Sequence, residues 1–175
     1  PEARDEGIKV RTSSYTRHHV NITMCKAKVN GNYINSMLAL REALDSGCEE
    51  ALMLDNEGYV AEGSGENVFL VQKGKLVTPE LTSCLEGITR DTVFALAAEL
   101  NIEVVEKRIT RDEVYIADEA FFTGTAAEVL PIRELDGRTI GSGKRGPITE
   151  KLQSMYFDQV LGKREENPQW STTIN

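Results

Sequence analysis

The chain has 175 residues, 40% of them hydrophobic and 27% charged, with a formal net charge of −8. That length suits one sizeable domain or two small ones in an ordinary globular balance. The acidic balance, with no basic stripe, excludes a general nucleic-acid binder, and no apolar run reaches membrane-spanning length.

Pro1 to Gly7 is charged and reads as a linker or arm. Ile8, Val10 and Thr12 alternate with charged residues, as in a strand, and Arg17-His18-His19-Val20 continues an extended run. His18 and His19 have no spaced Cys or His partners, so no metal site is expected; they read as side chains on opposite faces of a strand. Cys25, Cys48 and Cys84 lack Cys-x-x-Cys spacing, which points to free thiols and a cytoplasmic setting. No secretory signal is visible, so the Asn21-Ile22-Thr23 glycosylation pattern reads as chance.

Lys28 sits at a junction, with extended chain before it and a Gly31 turn after it. A lysine desolvated at the edge of a core becomes nucleophilic, whereas most lysines are solvated surface charges. Tyr33, across the turn, can point a phenol back at whatever Lys28 holds. Tyr33 to Ser46 reads as an amphipathic helix stopped by Gly47, with Ile34, Met37 and Leu38 on one face. Glu50 to Leu54 is a strand, Asp55 to Gly58 a turn, and Lys73-Gly74-Lys75 a hairpin between the strands Val68–Val71 and Leu76–Thr78. Between the turn and that hairpin lies Glu62-Gly63-Ser64-Gly65-Glu66-Asn67, in which glycines permit close backbone approach to a ligand. Glu62, leading into a buried strand, needs a partner such as a protonated ring nitrogen; the alternative is a solvated turn.

Gly87-Ile88-Thr89 opens the clearest helix, with Val93, Leu96, Ala97 and Leu100 at helical spacing. Its free amides and dipole suit a phosphate; the alternative is that Thr89 only caps the helix. Glu103 to Glu106 is a strand, and Thr110-Arg111-Asp112-Glu113 is a capping box opening a short helix. Glu119 to Thr123 is a strand ending in Gly124-Thr125-Ala126-Ala127, a second small-residue anion site or an ordinary tight loop. A hairpin around Asp136-Gly137 and a helix from Pro147, with Ile148, Leu152, Met155, Tyr156 and Val160 inward, precede a polar tail from Lys163 to Asn175. These elements imply an α/β chain of α+β character, built on a mixed, barrel-like sheet with surrounding helices.

Four segments in this order carry a resemblance: Ala27-Lys28 with Gly31-Asn32-Tyr33, the Glu62–Asn67 loop, Leu85 with Gly87-Ile88-Thr89-Arg90-Asp91, and Gly124-Thr125-Ala126-Ala127-Glu128. Together they resemble the fold-type IV pyridoxal-phosphate enzymes, and among these the branched-chain amino acid aminotransferases. D-amino acid aminotransferases and aminodeoxychorismate lyases are neighbours in the same fold. The resemblance implies transamination between branched-chain L-amino acids and 2-oxoglutarate, with pyridoxal 5'-phosphate as cofactor. It implies a Schiff-base lysine at Lys28 rather than Lys26, a ring-oxygen partner at Tyr33 and a ring-nitrogen partner at Glu62. Leu85 is implied to pack on the ring. Gly87, Ile88, Thr89 and Thr125 are implied to bind phosphate, and Thr125 and Ala126 the substrate carboxylate; Glu66 supports from behind. A homo-oligomer without membrane or nucleic-acid partners is also implied. The resemblance covers a cofactor-binding domain, residues 8–162, flanked by the arm and tail. The family's first domain, which supplies a phosphate-binding arginine, has no match here, so the chain by itself is expected to be an inactive fragment. Two other readings remain at this point: a non-catalytic domain that binds a phosphorylated ligand, and a structural partner domain.

Overall fold

The structure is a computed structural model that describes residues 2–165, 167–170 and 172. Pro1 of the expected arm, and Glu166, Ser171 and 173–175 of the expected tail, lie outside the described residues. The elements in chain order are α1 (Glu2–Glu6), β1 (Ile8–Thr12), α2 (Tyr33–Asp45), β2 (Glu50–Leu54), β3 (Val60–Gly63), β4 (Asn67–Gln72), β5 (Lys75–Thr78), α3 (Ile88–Glu99), β6 (Val104–Glu106), α4 (Arg111–Tyr115), β7 (Glu119–Gly124), β8 (Glu128–Leu135), β9 (Arg138–Thr139) and α5 (Pro147–Val160). The strands form one mixed sheet in the order β3-β2-β1-β8-β7-β4-β5-β6, with β9 paired to β8.

Three strand pairs are parallel, β1–β2, β5–β6 and β1–β8, and parallel neighbours need a long crossover. α2 fills the crossover from β1 to β2 and α3 that from β5 to β6. Short turns join β2 to β3, β4 to β5, β7 to β8 and β8 to β9. At Lys73-Gly74 and Asp136-Gly137 both residues have positive φ (51° and 77°; 52° and 76°), the left-handed pairing that matches strand twist in two-residue hairpins.

The sheet curls so that alternate residues of a strand enter different cores. Val68, Leu70, Ala120 and Phe122 join Ile8, Val10, Leu52, Ile132 and Leu135 inside the curl. Phe69, Val71 and Phe121 face the other way and pack with Val93, Leu96 and Ala97 of α3 and Leu152 of α5. Burial on both faces explains why β4 and β7 are continuous apolar runs instead of alternating ones. The mixed, barrel-like sheet with surrounding helices is thus the observed fold.

Four local expectations change. The arm contains the short helix α1, which Arg4 ties to Glu128 at 2.5 Å. Residues 16–19 form no strand but a loop, so His18 and His19 do not alternate across a sheet. His18 Nε2 instead lies 3.4 Å from the Cys25 sulfur. On α2 the buried side is Ser36, Ala39 and Ala43, with the two alanines packed on Ala51 and Met53 of β2. Ile34 and Met37 are each 62% exposed. Small residues face the sheet because they let the helix axis approach closely. On α5, Leu152 is fully buried but Val160 is exposed.

Candidate active site

The segment before α2, the β3–β4 loop, the 79–87 connection and the β7–β8 turn meet around one cavity of about 600 Å³. Lys28, Tyr33, Glu62, Leu85, Gly87, Ile88, Thr89, Thr125 and Ala126 all line it, as do Arg17, Lys26, Glu66 and Thr123. Residues far apart in the sequence are brought to one place by the curl of the sheet.

At one end, Lys28 Nζ donates to the Tyr33 hydroxyl at 2.8 Å. Asn32, buried, holds this segment by donating its side-chain amide to the carbonyls of Met24 (3.0 Å) and Ala27 (2.9 Å). Lys28 itself is exposed. The desolvation expected of it is therefore not supplied by the residues around it here.

The opposite end is closed. Glu62 is buried, and its Oε1 lies 2.7 Å from Arg17 Nε as an ion pair without in-line hydrogen-bond geometry. The Leu85 amide donates to Glu62 Oε2 at 3.1 Å. Burial pushes the Glu62 carboxyl above its ordinary value, and Arg17 pulls in the opposite sense. A second positive charge at this carboxylate would complete its ionisation. Arg17 is the residue that sequence reasoning misses. It lies in a loop, and its partner Glu62 is far away in the chain, so no local pattern announces it.

In the β3–β4 loop, the Glu66 carboxyl lies beside that of Glu50. Burial first, and then the Glu50 charge, push the Glu66 carboxyl up to about 8. Glu50 is itself buried and accepts from the amides of Ala51 (2.6 Å) and Ser64 (3.2 Å). The loop's shape is thus held by carboxylates that accept from backbone amides. The glycines here answer to packing. A Cβ on Gly63 would lie 2.9 Å from Glu66 Oε2, and one on Gly87 would lie 2.2 Å from Asn67 Oδ1.

Gly87 is the N-cap of α3 and makes no side-chain cap bond; Thr89 therefore does not cap the helix. The first intrahelical bond runs from the Asp91 amide to the Gly87 carbonyl, so the amides of Ile88, Thr89 and Arg90 have no intrahelical acceptor. Thr125 and Ala126, in the β7–β8 turn, are exposed at the same cavity. The hydroxyl of Thr123 is buried and has no hydrogen-bond partner among the described residues.

An amine with a phenol, a buried carboxylate and a helix N-terminus thus converge on one space. That donor set fits a pyridoxal phosphate, which carries an aldehyde, a basic ring nitrogen and a phosphate. The volume lies in the usual range for cofactor sites, and the unpartnered Thr123 hydroxyl gives the cavity a further polar contact to offer. Among the described residues, no three His, Cys, Asp or Glu side chains are grouped to hold a metal ion. No helix there is long and apolar enough to cross a membrane.

Comparison with known proteins gives the same answer. Residues 1–135 match the family model described as amino-transferase class IV. The chain is 68% identical over 173 residues to a branched-chain-amino-acid aminotransferase of Pseudomonas aeruginosa, covering 99% of this chain and 56% of that protein. It is 43% identical to the Escherichia coli branched-chain-amino-acid aminotransferase, covering 99% of this chain and 57% of that one. The crystal structure of the branched-chain amino acid aminotransferase from Thermobaculum terrenum in its PLP-bound holo form superposes with a TM-score of 0.92 at 45% identity, over 94% of this chain and 54% of that one. The chain spans little more than half the length of these relatives. It belongs to the class IV aminotransferase family.

Proposed function

We propose that this class IV aminotransferase chain forms the cofactor-binding half-barrel of an enzyme that exchanges amino groups between branched-chain L-amino acids and 2-oxoglutarate, using pyridoxal 5'-phosphate. The observation that carries this reading is the convergence of the Lys28–Tyr33 pair and the Arg17–Glu62 pair on one cavity. A domain that only held a phosphorylated ligand needs no amine facing a buried carboxylate.

When bound, pyridoxal phosphate supplies an aldehyde that condenses with amines and a conjugated ring that accepts an electron pair. The chain's residues then divide the work. Lys28 would supply the amine that holds the cofactor, and the same amine would move a proton to and from the substrate α-carbon. Tyr33 orients that amine and donates to the ring oxygen. Glu62, with Arg17 behind it, holds a proton at the ring nitrogen. Leu85 packs on the ring face. The backbone amides at Ile88 and Thr89, with the hydroxyls of Thr89 and Thr125, hold the phosphate; Gly87 gives the turn that presents them. The amides at Thr125 and Ala126 take the substrate carboxylate.

The assignment is tested by adding pyridoxal phosphate to the protein, reducing with borohydride and mapping the adduct by mass spectrometry. Lys28 is the expected site. An adduct on Lys26, or none on Lys28, overturns it.

Two further parts of the reading concern setting. The free state of Cys25, Cys48 and Cys84 supports a cytoplasmic location. The exposed face of α2 with Ile34, Met37 and Leu38 supports a homo-oligomer, because apolar side chains clustered at a surface favour burial against a partner. Light scattering that returns a monomer at micromolar concentration would reject the oligomer.

A further inference from the structure

Lys26 is the lysine that the proposed reaction does not use, yet it lines the same cavity as Lys28. It is not a free surface charge. Its ammonium donates to the carbonyl of Leu81 and, at 3.0 Å, to that of Cys84. Both carbonyls belong to the irregular connection 79–87, which runs from the end of β5 to the start of α3.

This connection forms one wall of the site, because it presents Leu85 and Gly87 and leads into Ile88 and Thr89. Its ends are anchored from the sheet and from α3. Arg90 donates to the Pro79 carbonyl at 3.3 Å, Asn67 donates to the Leu85 carbonyl at 2.8 Å, and the Leu85 amide donates to Glu62. The middle makes local bonds of its own, from the Thr82 amide and the Cys84 thiol to the Glu80 carbonyl. The tether from Lys26 is thus its link to the opposite wall.

We infer that Lys26 is a positioning residue, a clamp that ties the lysine-bearing segment 24–28 to the 79–87 connection and fixes the spacing between Lys28 and the wall carrying Leu85. The physical basis is plain. Two carbonyls share one ammonium, and hydrogen bonds to a charged donor are stronger than neutral ones. The segment on the Lys26 side is held in turn, since Asn32 binds the Met24 and Ala27 carbonyls that flank it. The charge has a second effect, for Lys26 lies near enough to favour the ionised form of Glu62, after Arg17 and the Leu85 amide. One side chain therefore acts on both ends of the cavity without touching the reacting atoms.

The inference rests on the proposed cofactor only for its consequence, not for the clamp itself, and the test separates the two. Amide hydrogen exchange is measured at Thr82 and Leu85, whose amides donate to the Glu80 carbonyl and to Glu62, in the protein without added cofactor, for the native sequence, Lys26→Met and Lys26→Arg. Lys26→Met is expected to speed exchange there by about tenfold or more, tenfold being the ratio for losing one bond to a charged donor. Lys26→Arg, which keeps the charge and reaches two carbonyls, is expected to restore protection. Pyridoxal-phosphate affinity, read from visible absorbance, is expected to fall in the same order, with the borohydride adduct still on Lys28. Unchanged exchange in Lys26→Met overturns the clamp, as does equal loss of protection in Lys26→Arg. If the native protein binds no pyridoxal phosphate, the proposed function fails while the exchange data still judge the clamp.

Discussion

The two ends of the cavity are built on different principles. The carboxylate end is dry and fully specified: Arg17 and Glu62 have side chains only 6% and 8% exposed, and Glu62 also accepts from the Leu85 amide. The amine end is wet, for Lys28 is exposed and meets one polar side chain, Tyr33, beside the uncovered apolar face of α2. Desolvation raises the stakes of every charge at the first end and of none at the second. A substitution at the carboxylate end should therefore disturb the whole domain, and one at the amine end should disturb only chemistry.

The largest expected effect tests the dry end. Arg17→Met leaves Glu62 buried without its cation. Breaking a buried pair from one side costs about 3–5 kcal/mol, to be read from urea unfolding. Protonating Glu62 limits that cost. Its folded pKa is already raised by burial and would rise further without Arg17. Relative to the native protein the loss should therefore be small at acid pH, where the folded carboxyl is neutral in both proteins, and should grow as pH rises through the raised folded pKa of the native Glu62, where only the native protein can ionise it beside Arg17. Adding Glu62→Gln to Arg17→Met should recover most of the stability, because the stranded charge is gone. A pH-independent loss that the double variant does not relieve would show that Arg17 acts through packing alone.

An effect of similar order is expected at Glu66, on the β3–β4 loop. Its folded pKa of about 8 stands above the ordinary 4.5. Below 4.5 the group is protonated both folded and unfolded, and no charge is buried. As pH rises from 4.5 to about 8 the unfolded chain releases the proton while the folded chain keeps it, so stability falls across that window. Glu66→Gln should flatten this part of the stability–pH curve and make the protein relatively more stable at about pH 8. Thermal melts of both proteins from about pH 4 to about pH 9, spanning the window, measure it; parallel curves would mean that the fold does not hold Glu66 protonated.

How far the sequence reveals this asymmetry depends on the range of the interaction. Strands, hairpins, the α3 face and the Thr110–Glu113 capping box are written in neighbouring residues and can be read directly. Lys28 with Tyr33 is also local, since the two flank a single turn. Arg17 with Glu62, Glu50 with Glu66 and Lys26 with Leu81 and Cys84 are pairings made by the curl of the sheet, and no spacing rule encodes them. The α2 face escapes sequence reading for a different reason. Ile34, Met37 and Leu38 do share a face, but periodicity does not say which face meets the sheet, and Ala39 and Ala43 pack closer. Glycine in the acidic loop does signal close approach, but at Gly63 and Gly87 the crowding atoms belong to Glu66, Phe122 and Asn67.

The smallest expected effect on stability is the sharpest test of the contrast. Lys28→Ala removes the residue on which the proposed chemistry depends, yet it deletes an exposed side chain whose polar contact is the Tyr33 hydroxyl. No buried charge is stranded, because Tyr33 stays half-exposed and water can replace the amine. Exposed substitutions of this kind fall within about 0.5 kcal/mol of the native stability. Urea unfolding should therefore superimpose on that of the native protein, while borohydride treatment with pyridoxal phosphate yields no adduct at this position. The two readouts must part company for the wet end to be a chemical device rather than a structural one. A Lys28→Ala protein destabilised as much as Arg17→Met would show instead that the amine end is held by charges as tightly as the carboxylate end, and the division between them would fail.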